Sequence, residues 1–178
     1  MQIWTIGHGT RSLEEFLAVL RQAKVVTLVD IRTFPGSRRN PQFGQIAFRA
    51  SLVDSGLAYL HLPGLGGRRE PRPDSPHTAL RVDAFRGYAD HMSSPEFGRE
   101  TSQLMAVATA TSTAYMCAET LWWRCHRRML SDALAVAGWE VTHLQGVGES
   151  EPHRLWDLAR VLDGGLVYDG GAIPLPPA

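Results

Sequence analysis

Short apolar runs alternate along this chain with stretches in which apolar residues recur every three or four positions, the pattern of strands followed by helices. Gln2 to Ile6 is a β-prone run that stops at Gly7-His8-Gly9, which predicts a strand and a tight turn. Ser12 and Glu15 have the spacing of a capping box ahead of Phe16, Leu17 and Leu20, which fall on one helical face. Val25 to Ile31 is almost continuously aliphatic, as expected of a strand covered on both faces in a parallel sheet. A turn-rich segment with Pro35, Gly36 and Pro41 follows, then a helix around Ile46 to Asp54 and a third strand, Ala58 to Leu62. Beyond the loop Pro63 to Pro76, helices are predicted over Asp83 to Met92 and over Pro95 to Ala108, with Pro95 suited to a first turn. Thr113 to Met116 reads as a fourth strand and His126 to Ala137 as a helix that ends at Gly138. Trp139 to Leu144 reads as a fifth strand and Leu155 to Leu162 as a last helix, with the Pro-rich end from residue 170 extended or disordered.

This alternation implies a single α/β domain built on an open, mostly parallel sheet of about five strands, in a rhodanese-like or Rossmann-like three-layer arrangement. Ligands of such sheets bind beyond the carboxyl ends of the strands. There the pattern places Gly7, His8 and Gly9; Asp30 and Arg32; His61 to Gly67; Cys117 to Arg127; and His143. The chemically versatile residues of the chain therefore gather on one edge.

Composition narrows the class. With 178 residues, 44% hydrophobic and 20% charged, the chain can bury a core without staples. No apolar run approaches a membrane span, and Met1 to Gly7 lacks the basic and apolar regions of a signal peptide, so the cytoplasm is the expected location. Net charge is zero, which excludes a global field for nucleic acid or membrane. Locally, however, no acidic residue falls between Asp30 and Asp54, while Arg32, Arg38, Arg39 and Arg49 do. The two cysteines, Cys117 and Cys125, are too few for a disulfide scaffold; they read as thiols, metal ligands, a redox pair or small buried hydrophobes.

A thiol at a strand end, on a loop opening into a helix with arginines nearby, has the setting that favours thiolate. Cys117 is that thiol, with Glu119 and His126 as proton carriers and Cys125 as a supporting or resolving thiol. His8, Asp30, Arg32, Arg38, Arg39, His61 and Arg127 could hold an anionic substrate, with Arg68 and Arg69 on the same rim. Each arginine also reads as an ordinary surface charge. Metal binding is the rival chemistry, through Cys117, Cys125 and His126 with His8, His61 or His143, although adjacent Cys125-His126 side chains rarely reach one ion together. Trp122 and Trp123 could stack on a base, or place one ring inside and one on the surface. His143, alternating with Val141, also fits a satisfied core histidine.

Five motifs carry a resemblance. They are Thr5-Ile6-Gly7-His8; Leu28-Val29-Asp30-Ile31-Arg32 with Pro35 and Ser37-Arg38; Tyr59-Leu60-His61-Leu62-Pro63 with Leu65-Gly66-Gly67; Met116-Cys117-Ala118-Glu119 with Cys125-His126-Arg127; and Val141-Thr142-His143-Leu144. Together they resemble the domain of unknown function 488 family of bacterial and archaeal proteins, over roughly residues 3 to 155. Trp122-Trp123 stands where many members carry a proline before the Cys-His-Arg stretch. The order Asp30-Ile31-Arg32, a strand ending at Cys117, a helix, then Gly138-Trp139-Glu140-Val141 also looks like a rhodanese domain, whose corresponding cysteine forms a persulfide. Here the loop after Cys117 is longer and lacks the usual glycines. Nor does Cys117 fit the cysteine–five–arginine spacing of cysteine phosphatases, since Trp123 occupies the arginine position. The expectation is thus a cysteine-dependent enzyme acting on an anionic small molecule, by sulfur transfer. The alternatives are a nucleic-acid or nucleotide-binding module and a metal-binding protein. Cofactor and oligomeric state are unspecified by the sequence.

Overall fold

The computed structural model describes residues 1–36, 39–162 and 165–170. In chain order the main elements are β1 (Gln2–Gly7), α1 (Leu13–Gln22), β2 (Thr27–Asp30), α2 (Gln45–Asp54), β3 (Ala58–His61), α3 (Asp83–His91), α4 (Pro95–Ala110), β4 (Thr113–Cys117), α5 (Arg127–Val136), β5 (Glu140–Gly146), β6 (Glu149–Pro152), β7 (Ala159–Leu162) and β8 (Gly165–Tyr168). The first six strands of the chain form one sheet in the order β3-β2-β4-β1-β5-β6, parallel except for β6, and β7 and β8 pair as a separate hairpin.

The helices cover both faces. Phe16 and Leu20 of α1 and Phe48 and Leu52 of α2 pack with Leu28, Ala114 and Met116 on one side. Tyr88 of α3, Leu104 of α4 and Leu130 and Leu134 of α5 pack with Val29, Tyr115 and Val141 on the other. Successive strand residues therefore enter opposite cores, which is why β2 and β4 are buried along their whole length. The result is a three-layer α/β fold with five α-helices among the described residues.

Local sequence and structure agree at the first helix. The Ser12 hydroxyl accepts from the Glu15 N–H (3.1 Å) and the Glu15 carboxylate accepts from the Ser12 N–H (2.7 Å), closing the capping box. Ser12→Ala is expected to cost about 1 kcal/mol, read as a fall of roughly 2–4 °C in melting temperature. An unchanged melting temperature would contradict a stabilising cap.

Two differences from the sequence pattern follow from pairing. Leu155 to Leu162, expected as a helix, instead turns at Trp156, whose N–H donates to Asp132 (3.0 Å), and continues as strand β7. The Asp163-Gly164 dipeptide that separates β7 from β8 in sequence is a hairpin signal that competes with the helical spacing. Strand β6 was not anticipated: Glu-Ser-Glu-Pro is exposed throughout and carries no apolar alternation. It forms because the chain reverses at Gly148, in the left-handed region at φ 79°, and pairs back onto β5. The expectation for residues 171–178 lies outside the described residues.

Candidate functional site

Strands β1 and β4 are neighbours, with Gly7 opposite Cys117, yet the chain leaves β1 for α1 and β4 for α5, on opposite faces of the sheet. Such a divergence opens a crevice beyond the carboxyl ends of the two strands. The backbone ladder continues into it, with His8 N–H donating to the Cys117 carbonyl (3.0 Å) and Gly9 N–H to that of Ala118 (2.9 Å).

Cys117 ends β4 at the floor of this crevice. The loop after it makes one 3-10 turn, Trp122–Arg124, and returns Cys125 and His126 to the start of α5. The sulfurs of Cys117 and Cys125 and a ring nitrogen of His126 all lie within 4.8 Å of one another. His126 Nδ1 stands 4.0 Å from the Cys117 sulfur and 3.6 Å from that of Cys125. Both cysteines are free and buried. Adjacency of Cys125 and His126 was expected to keep them from one point, but the extended backbone at Cys125 and the helical backbone at His126 turn both side chains inward. Gly67 makes room for the ring: a Cβ there would stand 2.8 Å from His126 Nδ1.

Arg127 lies immediately behind the thiols, only 1% exposed. Its guanidinium donates to Thr5 Oγ1 (3.3 Å) and to the carbonyls of Glu119 and Thr120, and its Nε has no partner among the described residues. It makes no salt bridge to a carboxylate among them. Gly7 allows this approach, since a Cβ there would stand 2.7 Å from Arg127 Nη2 and against the Glu119 carbonyl. A buried cation without a counter-charge costs several kcal/mol, and the adjacent acids able to supply one are the two thiols.

The thiols respond as a pair. The hydrogen bond between Cys117 and Cys125, together with burial, pushes Cys117 well above the ordinary thiol range, although the Glu119 N–H and Arg127 oppose this. Burial works against ionising Cys125 too. There the hydrogen bond from Cys117, the His126 ring and Arg127 outweigh it and hold Cys125 well below that range. The direction of the two shifts favours ionisation at Cys125 over Cys117.

The remaining expected residues divide into floor and rim. Asp30 is fully buried and grips Arg32 through Nε (2.9 Å) and Nη2 (2.6 Å), while the Tyr59 hydroxyl donates to it (2.9 Å). Arg32 spends Nη1 on the Phe43 carbonyl (2.9 Å), so its fork is occupied within the fold. His61 bridges the Arg32 carbonyl (2.8 Å) and Gln45 (3.0 Å) and belongs to the same brace. His8 stacks on Phe43 at 4.3 Å and lies against the Gly9 carbonyl (2.9 Å); burial lowers its pKa and keeps it neutral. Arg39 and Arg68 stand at the rim, with Arg68 in the left-handed region at φ 64°. Arg69 instead turns to the Gly64 and Gly66 carbonyls and to Glu96. Arg38 lies outside the described residues. Glu119 is exposed and accepts from the Leu121 N–H (3.3 Å).

Two clefts open here, of about 500 and 590 Å³, and Cys117 and His126 line both.

His143 was expected at the carboxyl edge. It sits instead in the middle of β5, opposite Thr5, because the strand continues to Gly146. Trp122 lies flat on its ring at 3.9 Å, whereas Trp123 is 41% exposed, one ring in and one on the surface. Behind Trp122 runs a buried column that motif spacing did not reveal: His143 Nε2 to His153 Nδ1 (3.0 Å), His153 Nε2 to Asp132 (2.8 Å), and the Tyr168 hydroxyl to Asp132 (2.9 Å). Phe34, on the cleft wall, was likewise unremarked.

A family model described as "Domain of unknown function DUF488" matches residues 12–134. Neither the curated proteins nor the solved structures contain a match to the chain.

Proposed function

From a chain that belongs to the DUF488 family, whose description carries no activity, we propose an enzyme that uses the Cys117–Cys125 pair on an anionic substrate, with sulfur transfer as its chemistry. The observation that carries this is the buried guanidinium of Arg127, which has no carboxylate partner among the described residues and whose charge acts on two thiols with sulfurs within 4.8 Å of each other. A charge fixed there favours ionisation of one thiol of the pair.

In this mechanism Cys117 is the attacking sulfur, since it lines both clefts. As it attacks the outer sulfur of a donor D–S⁻, its proton passes to the Cys125 thiolate. The D–S bond breaks, D leaves with the electron pair, and Cys117 holds a persulfide. A nucleophilic acceptor then takes the outer sulfur, and the Cys117 thiolate recovers its proton from Cys125. His126, near both sulfurs, is placed to carry protons in either step.

Alkylation of native protein across pH, with each cysteine followed by mass spectrometry, tests the proposal. Because the Cys125 thiolate takes the Cys117 proton as that sulfur reacts, modification of Cys117 is expected to follow ionisation of Cys125, with a midpoint below the ordinary thiol value of about 8.5. If both sulfurs stay inert until the protein unfolds, the thiol mechanism fails. The convergence of Cys117, Cys125 and His126 then favours a metal-binding role, which elemental analysis of the same unchelated sample reads directly.

A further inference from the structure

We propose that the molecule brought to this thiol is a nucleotide, free or within a single strand, its phosphate held by Arg39, Arg68 and Arg124 and its base stacked on Phe34. The proposal rests on the thiol mechanism above for its reacting atom and deepens it by naming the substrate class.

Cys117 stands at the waist between the two clefts, and Arg39 and Arg68 also line both, while Arg124 lines the second. None of these three guanidinium groups makes an ion pair or hydrogen bond among the described residues. Some arginines elsewhere are paired, Arg32 with Asp30, Arg86 with Asp83 and Arg160 with Asp169, while Arg49 and others are as unpaired as these three; what sets the three apart is their shared place on the walls beside Cys117. Among the described residues the first cleft has no carboxylate on its wall, and the second has Glu119 alone. In a chain of zero net charge this is a local cationic wall facing the reactive sulfur. Arg68 is held there by a left-handed backbone, a conformation uncommon for a residue with a Cβ and concentrated at functional sites.

An anion alone does not account for the wall. Phe34 is 75% exposed and lines the first cleft between Arg32 and Arg39, with no ring partner among the described residues. An uncovered aromatic face next to unpaired guanidinium groups matches a planar base joined to phosphate. A cleft of about 500 Å³ is far larger than an inorganic anion needs and falls within the range of organic ligand sites. The tryptophans are the weaker platform, because Trp122 is committed to His143 and to Glu151 through its Nε1 (3.2 Å).

The test measures how far AMP, a fluorescent single-stranded RNA oligonucleotide and inorganic phosphate each slow Cys117 alkylation. Each rate is taken relative to the same protein without ligand, and RNA binding is followed in parallel by anisotropy at two salt concentrations. AMP, RNA or both are expected to slow the reaction at least tenfold, and phosphate at equal concentration to leave it unchanged. Phe34→Ala and Arg39→Ala/Arg68→Ala are expected to weaken that protection about tenfold, and Arg49→Ala to match the wild type. Protection by RNA alone, weakening with salt, identifies a strand as the source; protection by AMP as well identifies the free nucleotide. The proposal is overturned if neither protects, if phosphate protects equally, or if Phe34→Ala is protected like the wild type. If Cys117 never alkylates, the thiol mechanism has failed instead, and anisotropy with the Phe34→Ala protein still decides the ligand.

Discussion

The stability difference between the wild-type chain and a Cys117→Ser/Cys125→Ser variant is expected to peak near about pH 8.5 and to decline on both sides. In the unfolded chain each thiol titrates near that value. In the folded chain Cys125 is held below it and Cys117 above it. The lowered group contributes stability that is present above its unfolded pKa and is lost as pH falls toward its folded pKa. The raised group contributes stability that is present below its unfolded pKa and is lost as pH rises toward its folded pKa. Each branch has a limiting slope of about 1.4 kcal/mol per pH unit. His143, whose pKa burial pushes down to about 2, destabilises the fold in acid in both proteins and cancels in the difference. Urea midpoints from pH 5 to 10 read the profile. A flat difference would show that the pair does not share one proton, removing the basis for a thiolate beside Arg127.

Asp132→Ala is expected to be the most damaging substitution outside the sheet. The carboxylate is fully buried and accepts three hydrogen bonds, from His153 Nε2 (2.8 Å), the Trp156 N–H (3.0 Å) and the Tyr168 hydroxyl (2.9 Å). Alanine leaves three buried donors unpaired at about 1–3 kcal/mol each, against a net stability on the order of 5–15 kcal/mol for a domain. A fall in melting temperature of roughly 10 °C or more is expected, with Asp132→Asn intermediate because it keeps one acceptor oxygen. The loss should also reach the site. Without Asp132, His153 and then His143 lose their anchor, and Trp122 loses the ring it lies on. Faster Cys125 alkylation in folded Asp132→Asn protein would report that loosening; a melting temperature within 2–3 °C of wild type for Asp132→Ala would show that the column is not structural support.

The regular part of the fold is legible in the sequence because burial on both faces writes it there. The aliphatic run ending at Asp30, the capping box at Ser12 and the helical spacing after Cys125 each specify one structure. Strands β6 to β8 are not legible in that way. β6 is exposed and polar, and Leu155, Leu158 and Leu162 have a spacing that suits a helix until Trp156 is tied to Asp132. At the site, the sequence brings Cys117, Cys125 and His126 to one edge but gives no measure of which donors are already engaged. Arg32 follows Asp30 by two positions, and only the fold shows that the fork closes on that carboxylate. Arg127 looks like any helix-terminal arginine until its burial is known, and only then does its effect on the neighbouring thiols become visible.

The waist position of Cys117 has a stereochemical consequence. Displacement at divalent sulfur runs in line, so an acceptor must approach a Cys117 persulfide along the path by which the donor residue departed. Under the proposed sulfur transfer one cleft would receive both reactants in succession, in a double displacement whose first product leaves before the second substrate enters. The other cleft would never hold the transferred atom and would be left to parts of the substrate remote from the reacting sulfur, where contacts can set selectivity without obstructing the exchange.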